Sequence, residues 1–466
     1  MNFRGRRVHF VGIGGAGLSA IARVLLEQGA EVSGSDLAIS PMAEALARDG
    51  ACVFAGHHAE NVNGADLVVV SSAVPPSNVE VRASQAAGIP VLSRPEFLGQ
   101  MMRGYLGVAV AGTHGKTTTT AMIASILLEA GRDPTFIVGG MIAHLETNAR
   151  AGEGELFVIE ADEYDRTFLS LTPEVAVITN VEHDHPDCYP TFADFRAAFE
   201  TFAALVPQDG LLAVCWDDPV ARELGERRRD TGASVAFFGL ENGAQWRAEK
   251  VRPNASGGMD FLAMREGGGL GWVRLQLPGH HNASNAMAAL TVADFLGVPL
   301  RAAKGALAKF RGVGRRFEIK GEAAGVVVVD DYAHHPTEIR ATLQAARQRF
   351  PHRRLWAVWQ PHTYSRTHAL LEEFTQSFDV ADHVIVLPIY AAREKETLGV
   401  SSADVVAAMQ HLDVRCASSL DEALVWLGTE VGLGDVVLTL GAGDGDKVGE
   451  WLLEALGNGQ SPVSNL

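Results

Sequence analysis

A chain of 466 residues is longer than one hydrophobic core can organise, and at about 150 residues per domain it predicts three domains. With 47% hydrophobic and 20% charged residues it reads as ordinary globular protein, while a formal net charge of −17 argues against a nucleic-acid or anionic-membrane surface, both of which need a basic face. No apolar run approaches a membrane span and the first residues lead straight into a strand, so the expected setting is the cytoplasm, as a monomer or homodimer acting on small molecules. Cys52, Cys188, Cys215 and Cys416 lie far apart, without redox or zinc spacing, and are expected to be reduced and structural. Gly457 to Leu466 reads as a loose tail.

Arg7 to Val11 is a predicted strand, followed by Gly12-Ile13-Gly14-Gly15-Ala16-Gly17, a helix over Leu18 to Gln28, and a strand ending in Gly34-Ser35-Asp36. Glycines between strand and helix, with an acid about twenty residues on, form the dinucleotide fingerprint. Its physical content is a diphosphate on a helix N-terminus and a carboxylate at a ribose or base, so NAD and any other nucleotide diphosphate both fit. The strand Leu67 to Val70 delivers Ser71 and Ser72 to the same edge, which makes Gly14, Gly15, Ser35, Asp36 and Ser72 the candidate binding residues. A short strand, Pro90 to Leu92, and a helix near Glu96 to Met102 complete a first domain over residues 1–105.

The second domain, 106–314, opens on Val108-Ala109-Val110-Ala111-Gly112-Thr113-His114-Gly115-Lys116-Thr117-Thr118, with an amphipathic helix expected over Ala121 to Ala130. Strand, glycine loop and Lys-Thr at a helix start are the parts of a phosphate loop: backbone N–H groups hold phosphate, the Lys ammonium reaches its outer oxygens, and Thr117 can hold Mg²⁺. The match is to a shorter Gly-Thr-x-Gly-Lys-Thr form, since Val110 stands where the longer pattern has glycine. The bland alternative is a strand-to-helix turn capped by threonines. Leu156 to Ile159 is a buried strand that ends in Glu160, where a nucleotide-bound Mg²⁺ finds a protein carboxylate.

Val175 to Thr179 delivers Asn180 and then Glu182-His183-Asp184-His185-Pro186-Asp187. By residue type this run suits zinc, but no second ligand cluster follows at zinc spacing, so a Mg²⁺ or phosphate role for His185 fits better. Asn282 and Asn285 lie three apart before an Ala-rich helix expected over Ala286 to Phe295, placing them on one face or, for Asn282, at a cap. Gly312 to Phe317 reads as a Gly-loosened basic hinge. In the third domain, 315–466, the strands at Val326 to Val329 and Leu355 to Trp359 end in Asp330-Asp331-Tyr332-Ala333-His334-His335-Pro336 and Gln360-Pro361-His362-Thr363-Tyr364-Ser365-Arg366, with further strands at His383 to Leu387 and Val436 to Leu440. Ligands bind beyond the carboxyl ends of parallel strands, so this domain too contributes to a site.

In this order the motifs resemble the Mur ligases of peptidoglycan synthesis over nearly the whole chain. The resemblance implies an α/β fold of three domains: an N-terminal Rossmann-like UDP-sugar domain, a central P-loop-type ATPase with a mainly parallel sheet, and a C-terminal Rossmann-like domain for the amino acid and ATP. It implies ATP-dependent joining of L-alanine to the lactyl carboxylate of UDP-N-acetylmuramate through an acyl phosphate. ATP would meet Gly112, Thr113, His114, Gly115, Lys116, Thr117, Thr118, Asn285, Arg316 and Asp331; Thr117, Glu160 and His185 would hold Mg²⁺; and Lys116, His334, His362 and Arg366 would serve the reacting groups. The carbamylated lysine of several related ligases is not carried over, because no lysine occurs between Tyr189 and Val206. Two other readings stay open: a recycling ligase that takes a preformed tripeptide, and an NAD-dependent oxidoreductase with an appended ATPase.

Overall fold

The apolar strand runs build three sheets in a computed structural model that describes residues 3–458; the rest of the expected tail, 459–466, lies outside the described residues. Gly457 is the last residue of the helix Asp446–Gly457. The first sheet holds β1 (Arg7–Val11), β2 (Glu31–Asp36), β3 (Cys52–Ala55), β4 (Leu67–Val70) and β5 (Val91–Ser93), all parallel, in the order β3-β2-β1-β4-β5. The strand order therefore reverses beside β1, and the glycine loop follows β1 at that switch point, where ligands of open parallel sheets bind.

The second sheet has ten strands: β6 (Leu106–Ala111), β7 (Thr135–Ile142), β8 (Thr147–Arg150), β9 (Leu156–Glu160), β10 (Val175–Ile178), β11 (Leu211–Cys215), β12 (Val235–Gly239), β13 (Trp246–Pro253), β14 (Met259–Arg265) and β15 (Gly268–Arg274). Parallel β6 lies between β10 and β9, so the ends of all three converge on one edge. Side chains alternate across the sheet: Val108 and Val110 pack into one core layer, Ala109 and Ala111 into the other. The second of these layers continues through Phe10, Ile21 and Phe97 of the first domain, so the two domains share one apolar core. The antiparallel ribbon β13–β15 is absent from the expectations above, although β14 buries every second residue from Met259 to Ala263.

The third sheet holds β16 (Glu318–Ala323), β17 (Val326–Asp331), β18 (Leu355–Trp359), β19 (His383–Val386), β20 (Val414–Cys416) and β21 (Val436–Leu440), in the order β16-β17-β21-β18-β19-β20, with only β16 antiparallel.

Two local expectations need correction. The helix after the phosphate loop is Lys116–Glu129 and is buried continuously from Thr117 to Leu127, because it lies between the sheet and the helices His280–Phe295 and Leu300–Lys309. Two of its hydroxyls bond back to the helix: Thr120 donates to the Lys116 carbonyl (2.8 Å) and Ser125 to that of Ala121 (2.7 Å). The Ala-rich helix begins at His280, so Asn282 lies inside it and caps nothing. Residues 312–317 join the second domain to the third: Val313 bridges to Ile142 and the Gly314 N–H donates to the Met141 carbonyl (2.8 Å), while Arg315 and Phe317 take left-handed conformations and bond to Asp330 and Asp331. All four cysteines are free.

Candidate active site

Helix starts separate into two kinds. Ser40, Asn78, Ser93, Thr191 and Asp218 cap their helices with side-chain oxygens, whereas the helices that open at Gly15, Gly115 and Gly279 have no side-chain cap. Uncapped N–H groups at a helix start attract anions, and the starts at Gly15 and Gly115 lie in the two glycine loops.

The phosphate loop is shaped by the end of β10. Gly112 has φ +139°, and a Cβ there would overlap the Thr179 hydroxyl; at Gly115, with φ +80°, it would lie 2.7 Å from Asn285 Oδ1. The Thr113 N–H donates to the Asn180 carbonyl (3.0 Å) and the His114 N–H to Asn180 Oδ1 (2.8 Å), so two of the loop's amides are already engaged. The Thr113 hydroxyl donates to the Glu182 carbonyl (2.8 Å). A Gly112→Ala substitution is expected to cost about 1–3 kcal/mol from backbone strain alone, measured by chemical denaturation; an unchanged stability would refute this account of the loop.

Lys116 Nζ donates to the carbonyls of Gly112 (2.6 Å) and Thr113 (3.1 Å) and pairs with Glu163 Oε1 at 2.9 Å. Burial opposes its charge, but Glu163 and Glu160 outweigh that and raise its pKa. Thr117 donates to Glu160 Oε1 (3.0 Å), and the Gly139 N–H donates to Glu160 Oε2 (2.7 Å). His185, held at φ +55°, brings Nε2 to 3.3 Å from Glu163 Oε1. Thr117 and Glu160 thus form one pair, and Lys116, Glu163 and His185 an adjoining cluster. Glu163 Oε2 is buried without a hydrogen-bond partner, an oxygen aimed at something not yet bound.

The third domain closes over this cluster. Arg366 donates through Nε (3.0 Å) and Nη2 (2.7 Å) to Asp184 Oδ1 and through Nη1 to His362 Nδ1 (3.1 Å), and both charged partners are buried. His334 stands edge-on to His362 with ring centres 5.9 Å apart, its Nδ1 beside the Tyr332 carbonyl at 2.9 Å. Burial pushes His334 down to about 3 and, with Arg366 adding to it, His362 down to about 4, so both imidazoles are neutral. His362 in turn stacks on Tyr390, and Glu394 accepts the Tyr364 and Ser365 N–H groups at the start of the short helix that carries Arg366.

Between the second and third domains lies a cavity of about 340 Å³, lined among others by Gly115, Thr117, Asn282, Asn285, Arg316 and Asp331. Asn285 donates to Asn282 Oδ1 (3.3 Å), which fixes the pair on one helix face. Asp331 accepts the Phe317 and Ala333 N–H groups at 2.8 Å each, and burial lifts its carboxyl to about 6. Arg316 reaches Glu338 at 3.4 Å. At the cavity edge His114 lies between Glu182 (3.1 Å) and Glu338 (3.3 Å). Burial opposes its charge, but these carboxylates raise its pKa to about 9. A raised His pKa stabilises the fold fully below the unfolded value of 6.5 and loses that contribution as pH rises through 9. In chelated buffer, the stability gap between the protein and its His114→Asn variant should therefore shrink across that window; a gap independent of pH would refute the ion pair.

At the first sheet, the Gly14 N–H donates to Asp36 Oδ2 (2.9 Å), while Ser72 is exposed beyond β4. Ser35 is fully buried and donates to Glu80 (2.5 Å), so its side chain faces a polar network with His57 rather than the glycine loop. Arg94 went unnoticed in the sequence. Its guanidinium lies 2.8 Å from where a Gly17 Cβ would be, and it reaches Asp162 of the second domain at 3.3 Å. The Ser93 capping box before it, read as a helix start, would have placed Arg94 beside that loop.

Comparison with known proteins agrees along the whole chain. Residues 7–106 match the Mur ligase family catalytic domain, 110–293 the Mur ligase middle domain, and 315–443 the Mur ligase glutamate ligase domain. A UDP-N-acetylmuramate–L-alanine ligase of Caldanaerobacter subterraneus subsp. tengcongensis is 44% identical over 452 residues, 96% of this chain and 97% of that one. The chain belongs to the Mur ligase family. Another such ligase, from Salinibacter ruber, is 46% identical over 460 residues, 97% of this chain and 95% of its own. Among solved Mur ligases, the UDP-N-acetylmuramate–alanine ligase of Thermotoga maritima superposes with a TM-score of 0.82 at 29% identity, covering 97% of this chain and all of its own. A murein peptide ligase from Psychrobacter arcticus gives 0.72 at 27%, covering 97% and 99%. The three-domain α/β architecture is thus that of a Mur ligase, and the oxidoreductase reading falls away.

Proposed function

We propose that this protein is the ATP-dependent ligase that joins L-alanine to the lactyl carboxylate of UDP-N-acetylmuramate, releasing ADP and phosphate in peptidoglycan precursor synthesis. The observation that carries this reading is identity of about 45% over nearly the full length to curated ligases of that activity, joined to a phosphate loop whose Lys116–Glu163–His185 cluster adjoins the Asp184–Arg366 pair of the third domain. The proposed domains are 1–105 for the UDP-sugar, 106–314 for ATP, and 315–466 for the amino acid and part of ATP. In the first, the helix start at Gly15, with Gly14, Asp36, Ser72 and Arg94 around it, suits a nucleotide diphosphate.

The lactyl carboxylate attacks the γ-phosphorus, the bond to ADP breaks, and the amine of L-alanine displaces phosphate from the resulting acyl phosphate. Bringing a carboxylate to a polyphosphate requires cancelled charge, which Lys116 and Arg366 supply in a site largely shut from water. Adenine lies against the Asn282–Asn285 face, with Arg316 and Asp331 opposite. The neutral imidazoles of His334 and His362 orient the amine without repelling Arg366. Thr117 and Glu160, a hydroxyl beside a carboxylate, and the unpartnered Glu163 Oε2 are the oxygen donors that a hard cation takes, so the residues present fit Mg²⁺ on Thr117, Glu160 and His185. When bound, Mg²⁺ neutralises phosphate charge and draws electron density from the bond that breaks.

The test is phosphate release from ATP with Mg²⁺ and UDP-N-acetylmuramate, comparing L-alanine, glycine, L-serine and the L-Ala-D-Glu-diaminopimelate tripeptide. Release that needs the UDP-sugar and is fastest with L-alanine is expected. Release with tripeptide alone would transfer the protein to recycling, with the same phosphate loop and a different acceptor pocket.

A further inference from the structure

The run Glu182 to Asp187 has metal-binding residue types but no second cluster near it in sequence; the fold supplies one from elsewhere. His114 comes from the phosphate loop, Glu182 from the loop after β10, and His335 from the residue before the helix Pro336–Arg349 of the third domain. His114 Nε2 lies 3.1 Å and His335 Nδ1 3.5 Å from Glu182 Oε2, and all three atoms lie within 4.8 Å of one another. Among the described residues this is the one group of three or more His, Cys, Asp or Glu so gathered.

Two further contacts resemble those that support metal ligands. The other His114 nitrogen, Nδ1, is buried, forms no hydrogen bond, and lies 3.3 Å from Glu338 Oε1. Metal binding displaces the Nε2 proton that His114 otherwise shares with Glu182, and Glu338 behind Nδ1 keeps the ring turned toward the metal. Thr337 donates to Glu182 Oε2 (2.8 Å) and so orients the carboxylate. Two imidazoles and one carboxylate suit zinc-class ions, whereas Mg²⁺ favours sites dominated by oxygen donors, such as Thr117 and Glu160. Three protein ligands leave one tetrahedral position open, and His114 and Glu182 both line the nucleotide cavity.

We propose that His114, Glu182 and His335 form a site for a zinc-class divalent metal, separate from the Mg²⁺ residues of the phosphate loop. The bound metal ties the second domain to the third, with its open position toward the cavity. It takes the His335 lone pair that otherwise accepts the Thr337 N–H at 3.3 Å.

The experiment titrates chelator-stripped full-length protein with Co²⁺ in excess Mg²⁺, which competes for the phosphate-loop residues, and reads the visible absorption of nitrogen-ligated Co²⁺. The comparison is His335→Asn, because asparagine keeps a helix cap while removing the imidazole. The protein should bind one Co²⁺ with a visible band, and the variant should lose the band and bind at least about tenfold more weakly. Zn²⁺ should also raise the melting temperature of the protein and leave that of the variant unmoved, while metal-free melting of the two agrees. The same band and affinity in both proteins, or no band in the unsubstituted one, would overturn the site. Neither readout depends on which acceptor the enzyme uses.

Discussion

Replacing Lys116 with alanine should lower turnover by at least about a thousandfold, the scale set by removing one preorganised charge from a transition state of this kind. The ammonium is held by two loop carbonyls and Glu163, so its position is fixed before any nucleotide arrives. Binding of UDP-N-acetylmuramate should stay within about twofold, because the glycine loop of the first sheet shares no partner with Lys116. Phosphate release and isothermal titration with the UDP-sugar check the two halves separately. Comparable loss of both would mean that the two nucleotide sites are wrongly assigned. The variant also leaves Glu163, 1% exposed, with His185 as its remaining cationic partner, so it should unfold at lower denaturant concentration than the parent.

What could be read from the sequence was what the chain encodes locally. The strands β1, β4, β6, β9 and β10 stand out as short apolar runs, and the two glycine loops follow β1 and β6 directly. The helix Lys116–Glu129 is buried rather than amphipathic because the sheet covers one side and two helices the other, a packing that its own residues do not announce. Asn282 looked like a cap because the glycine start at Gly279 carries no side-chain signal.

The contacts that assemble the site were not legible at all. Asp184 and Arg366 are separated by 182 residues, and Glu182 and Thr337 by 155. No periodicity or motif spacing reports such a pairing. Glu163 illustrates the same limit at short range: the strand end points to Glu160, which meets Thr117, whereas the Lys116–Glu163 pair carries no signal in the sequence.

Arg366 carries the second large effect, and two roles coincide there that one substitution cannot separate. Removing the guanidinium strands a buried carboxylate at Asp184, at a cost of about 3–5 kcal/mol. Because the pair joins the second domain to the third, that cost falls on their docking, and Arg366→Ala should lose about two to three orders of magnitude in kcat/KM. The double variant Asp184→Asn with Arg366→Met removes the stranded charge as well. Its stability in denaturant should recover most of what the single variant loses, since replacing both members of a buried pair is often neutral. Its turnover should not recover, because the charge proposed to face the acyl phosphate is still missing. Recovery of turnover together with stability would reduce Arg366 to a clamp between domains and leave Lys116 as the cation that serves the phosphoryl group.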